Sequence, residues 1–292
     1  MSALDKRIRW KLHIRGEDGV ASVIGTIFAL LVFLTLFSLI ITTYIPAWEK
    51  ANEQEFMTET LYRFSSVKSV NGIMNEGDQQ FVALSLAPAK VPIFGKNVLG
   101  DLTLNPSGLS EASMTVTFAD PDDLGGDPLE FSAGGSLEYG IFVNTYLNQR
   151  VSYEMGAVLT SQPDGGLIKV SPGLSYTTTG SGGDETYDIV INLNDLVGTQ
   201  ASRLGAGTFG VSLTVTDIKD FFVETDPADT TMTMVIDTSY PDAWMNWLDQ
   251  RFVQTGVIGA GDMDVDGNRI TLEFSDLDSI SVKRTFTTIS LE

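Results

Sequence analysis

From Val20 to Ile45 the chain reads VASVIGTIFALLVFLTLFSLIITTYI, 26 residues without a charged side chain. As an α-helix this run is roughly 39 Å long at 1.5 Å per residue, more than the ~30 Å hydrocarbon core of a bilayer. Soluble domains seldom bury a helix of that length that is apolar on every side. The run therefore predicts a membrane-spanning helix. No second run of spanning length follows, so the chain is expected to cross once.

Charge sets the direction of crossing. Residues 1–19 carry Lys6, Arg7, Arg9, Lys11 and Arg15 against Asp5, Glu17 and Asp18, whereas the rest holds 13 basic and 35 acidic residues. The positive-inside rule keeps such an N-terminus in the cytoplasm and sends the acidic C-terminal part across the membrane. A net charge of −20 also repels polyphosphate backbones, which argues against nucleic acid as a partner.

The apolar run is followed by Tyr44-Ile45-Pro46-Ala47-Trp48-Glu49, which lacks the small-residue cleavage pattern of a secretory signal. Small residues stand in front of it instead, at Arg15-Gly16 and Asp18-Gly19. The string Gly19-Val20-Ala21-Ser22-Val23-Ile24-Gly25-Thr26 resembles the processing site of archaeal type IV pilins and pilin-like proteins, whose mature chains begin with a similar Val-Ser-Pro-Val-Ile-Gly segment. The resemblance implies cleavage by a prepilin peptidase between Gly19 and Val20. Cleavage after Gly16 is the competing choice, and it would leave Glu17 and Asp18 to enter the bilayer. The sequence departs from the family pattern at Ala21-Ser22, and Ile24 stands where bacterial pilins carry a glutamate.

Beyond Pro46, residues 47–75 contain no further proline and space Trp48, Ala51, Phe56, Leu61, Phe64, Val67 and Met74 mostly three to five apart. This predicts an amphipathic helix docked on the following domain. From Asn75 onward glycine, threonine, serine, aspartate and valine dominate. Alternating runs at 81–86, 112–118, 137–143, 187–192, 208–216, 230–236 and 269–274 read as strands between Pro/Gly/Asp turns. Pro241–Phe252 is the one helical candidate there, with Trp244, Trp247, Leu248 and Phe252 on one side. The order of the 135–139 strand, Tyr153–Val158, Ser171-Pro172 and the Tyr240–Trp247 segment is similar to uncharacterised archaeal pilin-like secreted proteins.

With no cysteine and His13 as the single histidine, a Ser-His-Asp triad, a cysteine nucleophile and a His/Cys zinc site are all excluded from the outer domain. Only carboxylate chemistry remains, and Glu138 and Glu154, each beside a tyrosine, are the pair that could flank a glycosidic bond. The strongest local motif is Asp262-Met-Asp264-Val-Asp266-Gly267-Asn268-Arg269-Ile270-Thr-Leu-Glu273, which satisfies the D-x-D-x-D-G-x5-E spacing of a calcium loop. Asp262, Asp264, Asp266 and Glu273 would be the ligands and calcium the cation. Flanking strands and Arg269 favour the alternative of a plain β-hairpin with solvated carboxylates. Asp120-Pro-Asp122-Asp123 with Asp127 forms a second acidic loop.

The expected architecture is α+β. A charged cytoplasmic leader (1–19), a transmembrane helix (20–45) and an amphipathic continuation (46–75) precede a mainly antiparallel, β-sandwich-like extracellular head (76–292). The resemblance implies a single-pass membrane protein of the pilin-like class, a minor pilin or pilus-associated subunit rather than an enzyme. Its partners would be the membrane, a prepilin peptidase and other pilin-like subunits met through the N-terminal helix in a surface filament. The alternative is a permanently anchored β-domain that binds a target, of the archaellum-stator or calcium-dependent adhesin kind.

Overall fold

The computed structural model describes the backbone of residues 3–88, 98–119, 128–142, 148–180, 185–225, 227 and 230–292, with side chains described from Val20 onward except at 119 and 142. Helix α1 (Ala3–Leu39), a π-helical turn (Ile40–Tyr44) and helix α2 (Ile45–Ile73) follow one another directly. The wide turn has a local cause in Pro46. Proline supplies no N–H and its ring crowds the carbonyl four residues back, so an ordinary turn would be strained there. The helix opens to a five-residue spacing instead, with the Ile45 N–H donating to the Ile40 carbonyl.

The chain up to Asn52 and the chain from Glu53 onward are separate compact units. In the second unit, α2 buries Glu53, Phe56, Met57, Thr60, Phe64, Val67 and Asn71, and Met74 follows just past its end. Steps of three and four place these residues on one face. The amphipathic reading holds for Phe56, Phe64, Val67 and Met74, and Leu61 is half-buried against the same core. It fails for Trp48 and Ala51, which are exposed and belong to the first unit.

Strands follow in chain order: β1 (Gln79–Ser85), β2 (Leu99–Pro106), β3 (Ser113–Ala119), β4 (Leu129–Phe142), β5 (Arg150–Glu154), β6 (Ala157–Gln162), β7 (Gly165–Val170), β8 (Gly173–Thr179), β9 (Thr186–Gly198), β10 (Ala201–Gly205), β11 (Thr208–Glu224), β12 (Thr231–Asp237), β13 (Met263–Asp266), β14 (Arg269–Phe274) and β15 (Leu277–Leu291). The smaller sheet has the order β1-β11-β15-β9-β8 and is antiparallel except at β15–β9. The larger runs β13-β14-β12-β3-β4-β5-β6-β7, with β2 also paired to β4 and β10 to β2. Strand β4 serves both β3 and β2 along one edge, changing partner at Gly134-Gly135. Gly135 has φ +101°, and a Cβ there would stand 2.7 Å from Leu196 Cβ, so only glycine fits this crossing.

Side chains from both sheets meet in two core regions. One receives the α2 stripe against Leu84, Leu104, Tyr139, Tyr153, Leu213 and Ile289. The other gathers Val116, Phe118, Ile191, Leu272 and Ile280 around Trp244, Leu248 and Phe252, which come from α3 (Pro241–Leu248) and the π-helical turn after it (Asp249–Val253). The α+β expectation is met, and the helix read at 241–252 packs on the sheet.

Asn71, 2 % exposed, is hydrogen-bonded on every side. Its Nδ2 donates to Tyr153 Oη (3.0 Å) on β5 and Asn194 Oδ1 (3.2 Å) on β9, and its Oδ1 accepts from Thr287 Oγ1 (2.6 Å) on β15. Removing the amide would take a partner from two buried hydroxyls, those of Tyr153 and Thr287, and from the half-buried Asn194; a buried polar group left unpaired costs roughly 1–3 kcal/mol. Asn71→Ala is expected to lower unfolding free energy by about 2–3 kcal/mol in denaturant titrations. A change below about 0.5 kcal/mol, the range of an ordinary surface substitution, would contradict this role.

Candidate functional site

Two surfaces and one buried cluster carry chemistry. The first surface is the N-terminal helix, long and apolar enough to cross a membrane. Every residue from Val20 to Tyr44 is exposed, Phe28, Phe33 and Leu30 among them. Three of the four threonines between Val20 and Tyr44 turn inward on the helix. Thr26 Oγ1 donates to the Val23 carbonyl (2.8 Å), Thr42 Oγ1 to Ser38 (2.8 Å) and Thr35 Oγ1 to Leu31. Hydroxyls satisfied by their own backbone suit a hydrocarbon environment, where no water is present to do it. Gly19 and Val20, the expected cleavage positions, lie within α1.

The second surface is the acidic motif. Met263–Asp266 and Arg269–Phe274 are the two strands of a hairpin joined at Gly267-Asn268. The register puts Asp264 opposite Thr271 and Asp266 opposite Arg269. Carboxylates alternating along a strand stand roughly 7 Å apart on one face, whereas calcium holds its oxygens at about 2.3–2.6 Å. Arg269 also lies on this face, in a two-point ion pair with Asp237 (2.8 and 3.1 Å), and Asp262 Oδ2 is used by the Gly259 N–H (2.8 Å). Among the described residues no three His, Cys, Asp or Glu side chains gather closely enough to hold a metal. Asp262, Asp264, Asp266 and Glu273 thus have a calcium loop's spacing on a hairpin's backbone. The acidic loop at 120–127 falls outside the described residues.

The buried cluster lies between β4 and β5. Glu138 pairs with Ser152 and Ser136 with Glu154, so all four side chains share one face, and Tyr139 and Tyr153 point to the other. Glu154 Oε1 accepts from Thr238 Oγ1 (2.6 Å) and Trp244 Nε1 (2.6 Å). Glu138 is held by Tyr240 Oη (3.2 Å) and Ser136 Oγ (3.3 Å), with Arg150 Nη1 at 3.6 Å. Ser152 Oγ is buried without a partner among the described residues. Burial pushes the Glu154 carboxyl up to about 7, and the Glu138 charge acts in the same direction, against the two donors. Burial and the two carboxylates likewise raise the Tyr240 hydroxyl. Just past Glu154, Met155 (φ 49°) and Gly156 (φ 77°) form a tight two-residue turn with both φ angles positive.

The two glutamates singled out by sequence do share a face. They do not frame a substrate: Glu154 is 1 % exposed under Trp244 and Thr238, whereas glycoside cleavage needs both carboxyl groups against the sugar. The sequence reading missed Arg150, Thr238 and Tyr240. Arg150 alone left a signal, as a lone base in an uncharged stretch, but its partner is fixed only by strand register. Comparison with protein-family models, curated proteins and solved structures finds no match to this chain.

Because its pKa is raised above the ordinary 4.5 to about 7, Glu154 holds its proton more tightly in the folded head than in the unfolded chain. Its contribution is full below pH 4.5 and is lost as pH rises through 7, a change on the order of 3 kcal/mol. The difference in stability between wild type and Glu154→Gln should therefore drift across pH 4.5–7, in the mutant's favour at the alkaline end. A pH-independent difference would refute the assignment. The hairpin geometry further predicts equal melting temperatures in excess calcium and in chelator, and a calcium-dependent rise would restore the loop reading.

Proposed function

We propose that the chain is a structural cell-surface protein of the archaeal type IV pilin-like class, a minor pilin or pilus-associated subunit. Val20–Ile45 holds it in the membrane with the head outside, a prepilin peptidase removes residues 1–19, and the N-terminal helix meets other pilin-like subunits. The observation that carries this reading is one helix with two kinds of surface. Its first part is apolar and exposed all round, and from Glu53 onward one stripe is buried in the head. That division suits a subunit whose apolar half is covered by lipid or by its neighbours' helices, since the hydrophobic effect would not leave so much apolar surface in water.

A second reading, a permanently anchored β-domain that binds a target, draws support from the polar face of the larger sheet around Glu138 and Arg150. The fate of the leader separates the two. N-terminal sequencing of the membrane-extracted protein is expected to begin at Val20. A first residue of Met1 or Ser2 would leave the anchored module as the better reading.

A further inference from the structure

The chain leaves the larger sheet after Asp237 of β12 and rejoins it at Met263 of β13. Its first residues offer three successive hydroxyls to three different glutamates. Thr238 Oγ1 donates to Glu154 Oε1 (2.6 Å), Ser239 Oγ to Glu111 Oε2 (2.8 Å) and Tyr240 Oη to Glu138 Oε2 (3.2 Å). Trp244 Nε1, in the first turn of α3, adds a second bond to Glu154 Oε1 (2.6 Å). The segment then rests on β7, the last strand of its sheet, where a Cβ on Gly166 would stand 2.9 Å from Ala243 Cβ. Beside that contact lies a cleft of about 420 Å³ lined by Asp242 and Met245 of α3 and by Gln162, Leu167 and Lys169 across from them.

Of the three glutamates, Glu154 alone is shut off from water, and among the described residues no base pairs with it. From β4 it faces the like charge of Glu138. Arg150 on β5 stands 3.6 Å from Glu138 and is half-exposed, and β6 has no titratable residue. In the covering segment Tyr240 already donates to Glu138, Asp242 is exposed at the cleft, and Asp237 just before it is held by Arg269. A charge on Glu154 thus meets two donors, one like charge and no water. Desolvation outweighs the donors, so the proton is kept up to about 7. Water can reach the carboxyl only if the residues that cover it, Thr238 to Trp244, move. β12 and β14 pair with each other from Met232–Phe274 to Asp237–Arg269, so lifting the first turn of the segment breaks no pair of that ladder.

We propose that residues 238–244 form a proton-operated strap, closed over β5–β7 while Glu154 is protonated and lifting more readily once Glu154 is charged, which admits water to the carboxyl and uncovers β7. The sign follows from linkage. In the lifted state Glu154 returns to the ordinary range near 4.5, and in the closed state it holds its proton to about 7. Between those values lifting releases one proton, so each pH unit raises the lifted population about tenfold, and above 7 the gain levels off. The strap does not rest on the structural role proposed above.

The test is amide hydrogen exchange followed by mass spectrometry on the full chain in detergent, from about pH 5 to 8.5, with each rate divided by that of an unstructured peptide at the same pH. Protection of 238–248 should fall about tenfold per pH unit up to roughly pH 7 and then level off. At every pH it should stay at least about tenfold below the protection of β9 and β15, the mark of a local opening. Glu154→Gln keeps an acceptor for Thr238 and Trp244 but cannot ionise, and should flatten the pH dependence. Glu138→Gln removes the repelling charge and should move the levelling-off to lower pH without abolishing it. If Glu154→Gln does not fold, the Glu138→Gln shift decides. Protection of 238–248 that is independent of pH, that equals that of β9 and β15, or that keeps its pH dependence in Glu154→Gln would overturn the proposal, as would an unmoved levelling-off in Glu138→Gln.

Discussion

The amide of Asn71 is the constraint on which the head's assembly depends. It lies on the inner face of α2, where a leucine would bury more apolar area but would tolerate several rotations of the helix. An amide enclosed among hydrogen-bonding groups does not, because each unmet donor or acceptor in a low-dielectric interior is costly. Tyr153 comes from the larger sheet, Asn194 and Thr287 from the smaller. Satisfying Asn71 therefore fixes the helix and the spacing of both sheets in one event. A second polar tie works in parallel: Asp195 of β9 accepts from the Gly134 N–H of β4 (3.1 Å) and from Arg284 Nη2 (2.7 Å).

Strand β5 transmits that constraint to the opposite side of the larger sheet. Successive side chains on a strand point to opposite faces, so Tyr153 reaches Asn71 under α2 and Glu154, the next residue, reaches Trp244 on α3. Two helices far apart in sequence are thus referenced to one dipeptide. The turn at Met155-Gly156 follows at once, and its backbone, unfavourable for methionine, holds β5 and β6 tightly paired just where these bonds converge. A glutamate at this point is a poor choice for stability alone, since desolvation opposes its charge. Its use is directional: one oxygen collects an indole N–H and a hydroxyl, which places α3 over β5–β7 more specifically than apolar contact could.

The sequence showed those parts of this arrangement that are governed by local periodicity. The apolar run, the spacing of Phe56, Phe64 and Val67, and the alternation in 112–118 and 230–236 each report a face turned to one environment throughout. β15 escaped because its environment changes along its length. Burial falls on Ile280 and Val282, then shifts to Thr285, Thr287, Ile289 and Leu291, so even-numbered positions give way to odd ones and two of the buried residues are threonines. β11, beside it, has a bulge between Val215 and Asp217. Strands β5 to β8 are short and closely spaced, and at Tyr153-Glu154 both faces are covered, which erases alternation. At the candidate sites, the residue types around Glu138 and Glu154 were visible, but Thr238, Tyr240 and Trp244 arrive from about a hundred residues away. The acidic motif's twelve residues match a calcium loop's spacing, and the strand pairing of Val265 with Ile270 gives them the backbone of the hairpin that the flanking strands and Arg269 already favoured.

The N-terminal helix obeys a different economy from the head. In the head, Asn71, Glu154 and Asp195 are satisfied by distant partners, which makes each of these bonds a statement about tertiary structure. Between Val20 and Tyr44 the hydroxyls of Thr26, Thr35 and Thr42 are satisfied within one turn of themselves, and even Pro46 is accommodated by a local change of pitch with the Ile45 N–H still bonded. A segment that settles its polar groups locally requires nothing specific from its surroundings, so its apolar exterior can meet lipid tails or a neighbouring helix equally well. That indifference would be a liability in water, where specificity must come from directional contacts. On the proposed reading, a bilayer would let one surface serve first as an anchor and then, with Gly25 and Ala29 allowing close approach, as a packing face.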